Sequence, residues 1–155
     1  MKPKLFIMCG LSGSGKSTIA KDLAIKYNAE IVSSDAIREE LFGSFQNQSD
    51  NEKVFNIFNK RIRESLNKNK NVIADATNIT IKSRRAIVEY VRKLDIEKIC
   101  YIVPKKYKDC VKDNKNREHT VPEYVLEKQL RRFQIPFKEE GFSEMVIHDM
   151  GYTDR

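Results

Sequence analysis

The 155-residue chain has no tryptophan, four prolines, six glycines, two histidines and three cysteines, and it contains no long apolar run. Each scarcity excludes something. Cys9, Cys100 and Cys110 are odd in number and form neither a CxxC pair nor a cluster with histidines. No disulfide framework or zinc site is therefore indicated, and the thiols read as buried apolar groups in a reducing cytoplasm. The stretch KLFIMC near the N-terminus is shorter than a signal-peptide apolar core, and no segment approaches the ~18 apolar residues of a membrane span. The expectation is a soluble, cytoplasmic protein without a membrane partner. His119 and His148 have no partner visible in the sequence and read as structural or surface residues. No repeat, low-complexity segment or linker interrupts the chain, so one domain over 1–155 is expected, large enough to bury roughly two thirds of its unfolded surface.

What is present is charge. Lysine and arginine number 29 against 22 acids, a formal net charge of +7. That balance favours polyanionic partners, although solvated helix faces would produce it too. At 40% hydrophobic and 33% charged, the composition is that of a globular enzyme rather than a disordered chain.

Hydrophobic patterning alternates between two periods. Lys4–Cys9 is a short apolar run ended by Gly10, and Lys16–Tyr27 then shows near-helical spacing. Strand-like Glu30–Ser33 leads to helical Asp35–Leu41, and Val54–Leu66 carries Phe55, Phe58, Ile62 and Leu66 on one helical face. Asn71–Ala74 is strand-like, Lys82–Leu94 helical and Ile99–Val103 strand-like. Helical Lys106–Lys112 and Pro122–Phe133 follow, then a last strand at Glu144–His148. Residues 43–50 form a polar loop. Strands alternating with helices imply βαβ units, and hence an α/β domain with a five-stranded parallel sheet and helices on both faces.

The chemistry begins at GLSGSGKST, residues 10–18. Gly10, Gly15, Lys16 and Ser17 satisfy G-x-x-x-x-G-K-[ST], between a strand and a helix as that motif requires. The glycines let successive backbone N–H groups of Ser12, Gly13, Ser14 and Gly15 face phosphate oxygens, and the helix beginning at Lys16 to Thr18 adds its positive end. Lys16 would reach the β- and γ-phosphates, and Ser17 would place its hydroxyl on Mg²⁺.

Three further stretches bear on what receives the phosphate. In SSDAIREELFG, Asp35 lies at a strand end, where an open parallel sheet binds its ligands, with Arg38 three residues on. Asp35 could take a proton from an attacking hydroxyl while Arg38 grips a phosphate, or Asp35 could cap the helix with Arg38 paired to it on the surface. In VIADATN, Asp75 could hold Mg²⁺ or water, could orient Arg38 or the acceptor, or could belong to a turn with Asn78; Thr77 and Asn78 could contact the acceptor. Between Lys105 and Pro122, Lys105, Lys106, Lys108, Lys112, Lys115 and Arg117 outnumber Asp109, Asp113 and Glu118. A lid over about 105–120 closing on polyphosphate would look like this, as would a solvated helix; on a lid, Arg117 could neutralise the transferring group. Tyr107, Phe133 and Phe137 could stack bases, but aromatics at such spacing also build cores.

GxxGSGKST, SSDxxR, DATN and DNxxR followed by VP, in this order, resemble the kinase domain of the polynucleotide 5′-hydroxyl kinase family of phage and bacterial end-healing enzymes, from about Lys4 to Pro136. The resemblance implies a P-loop kinase-like three-layer fold, strand order 2-3-1-4-5 with a helical lid. It implies transfer of the γ-phosphate of ATP or another NTP, with Mg²⁺, to a 5′-OH end of DNA or RNA. Carried over by position, it makes Lys16 and Ser17 handle phosphates and metal, Asp35 the general base, Arg38 a contact to the acceptor's 3′-phosphate and Arg117 the lid arginine. Asp113 stands where the phage enzyme has a basic residue. No D-x-D-G-T follows, so a phosphatase module is not expected and a separate phosphatase or ligase would act alongside. Two other functions remain open: a kinase for a sugar, nucleoside or antibiotic hydroxyl, and an NTP-binding switch or ATPase.

Overall fold

A computed structural model of the chain describes residues 1–45, 47, 49–117 and 120–152. Strand β1 (Lys4–Cys9) leads through the glycine loop into α1 (Lys16–Tyr27). Then come β2 (Ala29–Ser33), α2 (Ser34–Phe42), α3 (Asn51–Asn67), β3 (Asn71–Asp75), α4 (Ile81–Tyr90) and β4 (Glu97–Ile102). Helices α5 (Tyr107–Lys115) and α6 (Glu123–Arg132), a 3₁₀ turn (Lys138–Glu140) and β5 (Glu144–Ile147) complete the chain. The five strands pair in parallel in the order β2-β3-β1-β4-β5. This is the expected α/β architecture.

The core has two layers because β1 is buried on both faces, as a central parallel strand must be. Leu5, Ile7 and Cys9 pack on one side with Val54, Phe58, Ile62 and Leu66 of α3. Phe6 and Met8 pack on the other with Ala20 and Leu23 of α1. A third cluster of Leu11, Ile79, Cys110 and Leu126 seats α5 and α6 above the sheet's carboxyl edge.

Local chemistry explains the departures from the sequence boundaries. Helix α3 starts three residues early because the Asp50 carboxylate accepts from the Lys53 N–H at 3.0 Å. Helix α4 ends at Tyr90 rather than Leu94: Arg92 and Leu94 N–H groups turn to the carbonyls of Glu89 and Val91, three residues back, and tighten the chain into turns. Within the 43–50 loop, Gln46 and Gln48 lie outside the described residues, as do Glu118 and His119 of the 105–120 lid. His148 has a partner after all: its Nδ1 shares a 2.8 Å hydrogen bond with the Tyr101 hydroxyl. No described helix is long and apolar enough to cross a membrane.

Candidate active site

The strand order reverses at β1, so the carboxyl ends of β1 and β3 open side by side at the crevice where such sheets bind ligands. The loop after β1 is held from both sides. The Gly10 N–H donates to the Thr77 carbonyl at 3.0 Å, and Asn78 Nδ2 donates to the Met8 carbonyl at 2.7 Å. Asn78 is buried in a left-handed conformation, φ 47°, which its short polar side chain tolerates. Expected as an acceptor contact, it is instead an inward brace of the phosphate loop, because its amide nitrogen satisfies strand-end carbonyls; Thr77 shares in the brace through its backbone carbonyl.

The glycines are required by space as well as by torsion. Gly13 has φ 81°, and a Cβ there would lie 2.5 Å from the Cys110 carbonyl oxygen. Gly15, φ 88°, precedes α1 without a side-chain cap, so the helix meets the site with its backbone donors. The Ser14 hydroxyl is buried without a partner among the described residues. An orphaned hydroxyl and an uncapped helix end fit a polyphosphate.

Four charges surround this cradle. Burial pushes the Lys16 ammonium below its ordinary value, against the pull of Asp75, with Arg117 lowering it and Asp35 raising it. Burial pushes the Asp75 carboxyl up, opposed by Lys16 and by the Ser17 hydroxyl, which donates to Asp75 Oδ2 at 3.0 Å. Burial also lowers Arg117, opposed by Asp35 and Asp75. Lys16, Asp35, Asp75 and Arg117 thus share one electrostatic environment although 101 positions of sequence separate the first from the last. Among the described residues no group of three or more His, Cys, Asp or Glu could form a metal cage. The Ser17–Asp75 pair suits Mg²⁺ instead, which keeps waters and substrate phosphates as its other ligands.

On the acceptor side, Ser33 rather than Asp35 caps α2, its Oγ accepting from the Ala36 N–H at 3.2 Å. Asp35 is therefore released from capping, and its carboxylate is partly open to solvent. Arg38 is not a surface partner: it is 8% exposed, with Nη1 on Asp35 at 2.9 Å and Nη2 on Asn51 at 3.2 Å. Its guanidinium lies 5.5 Å from the Phe55 ring centroid, and its Nε is buried with no partner among the described residues. Arg38 is thus held inside the fold against the partly open Asp35 carboxylate.

The lid segment is partly self-neutralised, since Lys105 pairs with Asp113 and Lys106 lies over the Tyr152 ring. Tyr107 and Phe133 pack on the third core cluster, while Phe137 is exposed. Two residues at the site were given no role in the sequence reading, although Asn114 lies within the DNxxR motif. Gln129 of α6 accepts from the Ser12 N–H and donates to the Ser12 Oγ, both at 2.9 Å, and so ties α6 to the phosphate loop. Asn114 holds Arg117, Nε donating to Oδ1 at 3.2 Å. A polar residue on an amphipathic helix looks solvated until the fold supplies its partner.

A switch-point glycine loop with a buried lysine, a Ser–Asp pair and an arginine from an overlying helical segment defines a P-loop phosphotransferase of the kinase type. The chain belongs to the family described as AAA domain, whose profile matches residues 5–136. It is 24% identical over 147 residues to the bifunctional polynucleotide phosphatase/kinase of Schizosaccharomyces pombe, covering 92% of this chain and 32% of that protein. A chain of the Pnkp1/Rnl/Hen1 RNA repair complex superposes with a TM-score of 0.74 at 27% identity, over 84% of this chain and 44% of the other. A gluconokinase from Sinorhizobium meliloti shares the fold, with a TM-score of 0.65 at 20% identity over 97% and 85% of the two chains. The chain thus spans about a third of the curated relative's length. The likeness to polynucleotide kinases read from the four motifs is a homology.

Proposed function

We propose that this domain is a polynucleotide 5′-kinase that transfers the γ-phosphate of ATP or another NTP to a 5′-OH end of DNA or RNA. The observation that carries the reading is the Arg38–Asp35 pair: a buried guanidinium bonded at 2.9 Å to a partly open carboxylate that we read as the base. Such a grip suits an acceptor that carries its own phosphate beside the reacting hydroxyl, as a strand does and a free sugar does not.

In this mechanism Asp35 accepts the proton of the 5′-hydroxyl as its oxygen attacks the γ-phosphorus. The bond from that phosphorus to the bridging oxygen breaks, and the nucleoside diphosphate leaves. Lys16 and Arg117 face the charge on the transferring group, and the loop from Gly10 to Thr18 holds the other phosphates. Ser17 and Asp75 would hold Mg²⁺, which supplies charge neutralisation when bound. Arg38 fixes the acceptor. This reading implies that phosphatase and ligase activities act on the same nucleic-acid ends.

The test is transfer from γ-labelled ATP with Mg²⁺ to 5′-OH DNA and RNA oligonucleotides, with 5′-phosphate controls and a panel of nucleosides and sugars. Label on the 5′-OH strands alone is the expected result. Label on a small alcohol, or only released phosphate, would replace this reading with a small-molecule kinase or an ATPase.

A further inference from the structure

Asn114 occupies the last turn of α5 and is 3% exposed. Its side-chain amide makes three hydrogen bonds to residues beyond the helix. Nδ2 donates to the Val121 carbonyl at 2.7 Å, and Oδ1 accepts from the Val121 N–H at 3.1 Å and from Arg117 Nε at 3.2 Å. One amide thus pairs with both backbone groups of the residue that returns from the turn and, with its second lone pair, anchors the arginine. Thr120 adds a bond from Oγ1 to the Arg117 carbonyl at 2.6 Å.

The same residue abuts the phosphate loop: a Cβ on Gly13 would stand 3.1 Å from Asn114 Cβ and 3.2 Å from its backbone nitrogen. Asn114 therefore joins three parts that a transfer reaction needs in register: the loop, the lid turn and Arg117. Anchoring at Nε leaves the two terminal nitrogens of Arg117 outside this bond. A long arginine side chain is otherwise free among many rotamers, so a fixed anchor makes the aim of the guanidinium part of the fold.

We propose that Asn114 is a positioning residue for phosphoryl transfer, acting through Arg117 on the γ-phosphate. The inference rests on the reading of Arg117 as the lid arginine but not on the identity of the acceptor. Asn114→Ala removes all three bonds, whereas Asn114→Asp keeps both acceptor bonds, loses the donor to Val121 and sets a carboxylate oxygen against the Val121 carbonyl. Each is measured alone and with Arg117→Ala, on whichever acceptor the wild-type protein labels, or on NTP hydrolysis if it labels none. The expected result is that Asn114→Ala lowers kcat about 10- to 100-fold with KM for ATP little changed. Asn114→Asp should recover part of kcat through the retained bond to Arg117, and Asn114→Ala should cost nothing further once Arg117 is alanine. A kcat loss of equal size in both backgrounds, or a rise in KM with kcat intact, would overturn the proposal. If Asn114→Ala does not fold, Asn114→Asp decides in its place: a kcat above that of Arg117→Ala supports the anchor, and a loss as deep as that of Arg117→Ala refutes it. Failure of the 5′-kinase reading would appear separately, in the wild-type acceptor panel.

Discussion

Arg84 and Glu140 form a fully buried two-pronged ion pair, Nε to Oε1 at 2.9 Å and Nη2 to Oε2 at 3.1 Å, both side chains 0% exposed. The remaining donors of Arg84 go to the carbonyls of Asn78 and Gln134, each at 2.9 Å, and to the Cys9 sulfur at 3.9 Å. Asn78 in turn braces the end of β1, so the pair underlies the floor of the phosphate loop. Its charges are tolerated in the core because almost every polar atom is matched.

Arg84→Met should therefore destabilise the fold by about 3–5 kcal/mol, by leaving Glu140 buried and uncompensated. Urea unfolding measures it. Adding Glu140→Leu should restore part of the loss, with the Asn78 and Gln134 carbonyls still unmatched. Equal stability of Arg84→Met and wild type would contradict this account.

Gly13→Ala forces a side chain onto φ 81° and within 2.5 Å of a backbone oxygen of α5. The expected cost is about 1–3 kcal/mol, and the stabilisation by MgATP expected of the wild type should vanish. Thermal unfolding with and without nucleotide reads both effects. A preserved nucleotide shift would show that α5 yields without disturbing the loop.

Asp35→Asn keeps the shape of the side chain and an acceptor for Arg38 but removes the carboxylate proposed as the base. Transfer should fall by about 10² to 10⁴, the usual contribution of a general base, while ATP affinity is retained. Single-turnover label transfer beside calorimetric ATP binding separates the two quantities. Undiminished transfer would take Asp35 out of the chemistry.

The buried thiols set a pH dependence. Burial pushes Cys9 up to about 11 and Cys100 up to about 12 from the ordinary 9.0. Below pH 9 folded and unfolded chains both keep these protons, so stability is indifferent to them. Between pH 9 and the folded values the unfolded chain releases protons that the folded chain retains, so stability falls as pH rises, by at most about 1.4 kcal/mol per pH unit for each thiol. Urea midpoints from pH 8 to 10.5 should show the decline, and Cys9→Ala with Cys100→Ala should reduce it, the Cys110 thiol, which burial also pushes up, keeping a share. A flat wild-type profile would contradict the burial argument.

Much of the fold was legible because a parallel sheet writes itself into sequence. Lys4–Cys9 and Lys16–Tyr27 were read at their observed bounds, since an apolar run buried on both faces and a glycine-bounded helix are local patterns. The phosphate loop was legible for the same reason: residues 10–18 are contiguous, and backbone torsion dictates their glycines. The 3₁₀ turn at Lys138–Glu140 was not, because what holds Glu140 inside is an arginine 56 residues away.

By itself, then, the sequence determined the alternation of strands and helices and the phosphate-binding loop, because both follow from near-neighbour periodicity and torsional freedom. Only the tertiary structure decided which polar side chains face inward. Asn78 braces a strand end, Gln129 reaches Ser12 across 117 positions, Arg84 meets Glu140, and Arg38 is buried with one nitrogen unpaired. A polar residue on an amphipathic element has no local preference for a partner. Its role is fixed by which buried donor or acceptor the packed fold brings within about 3 Å of it.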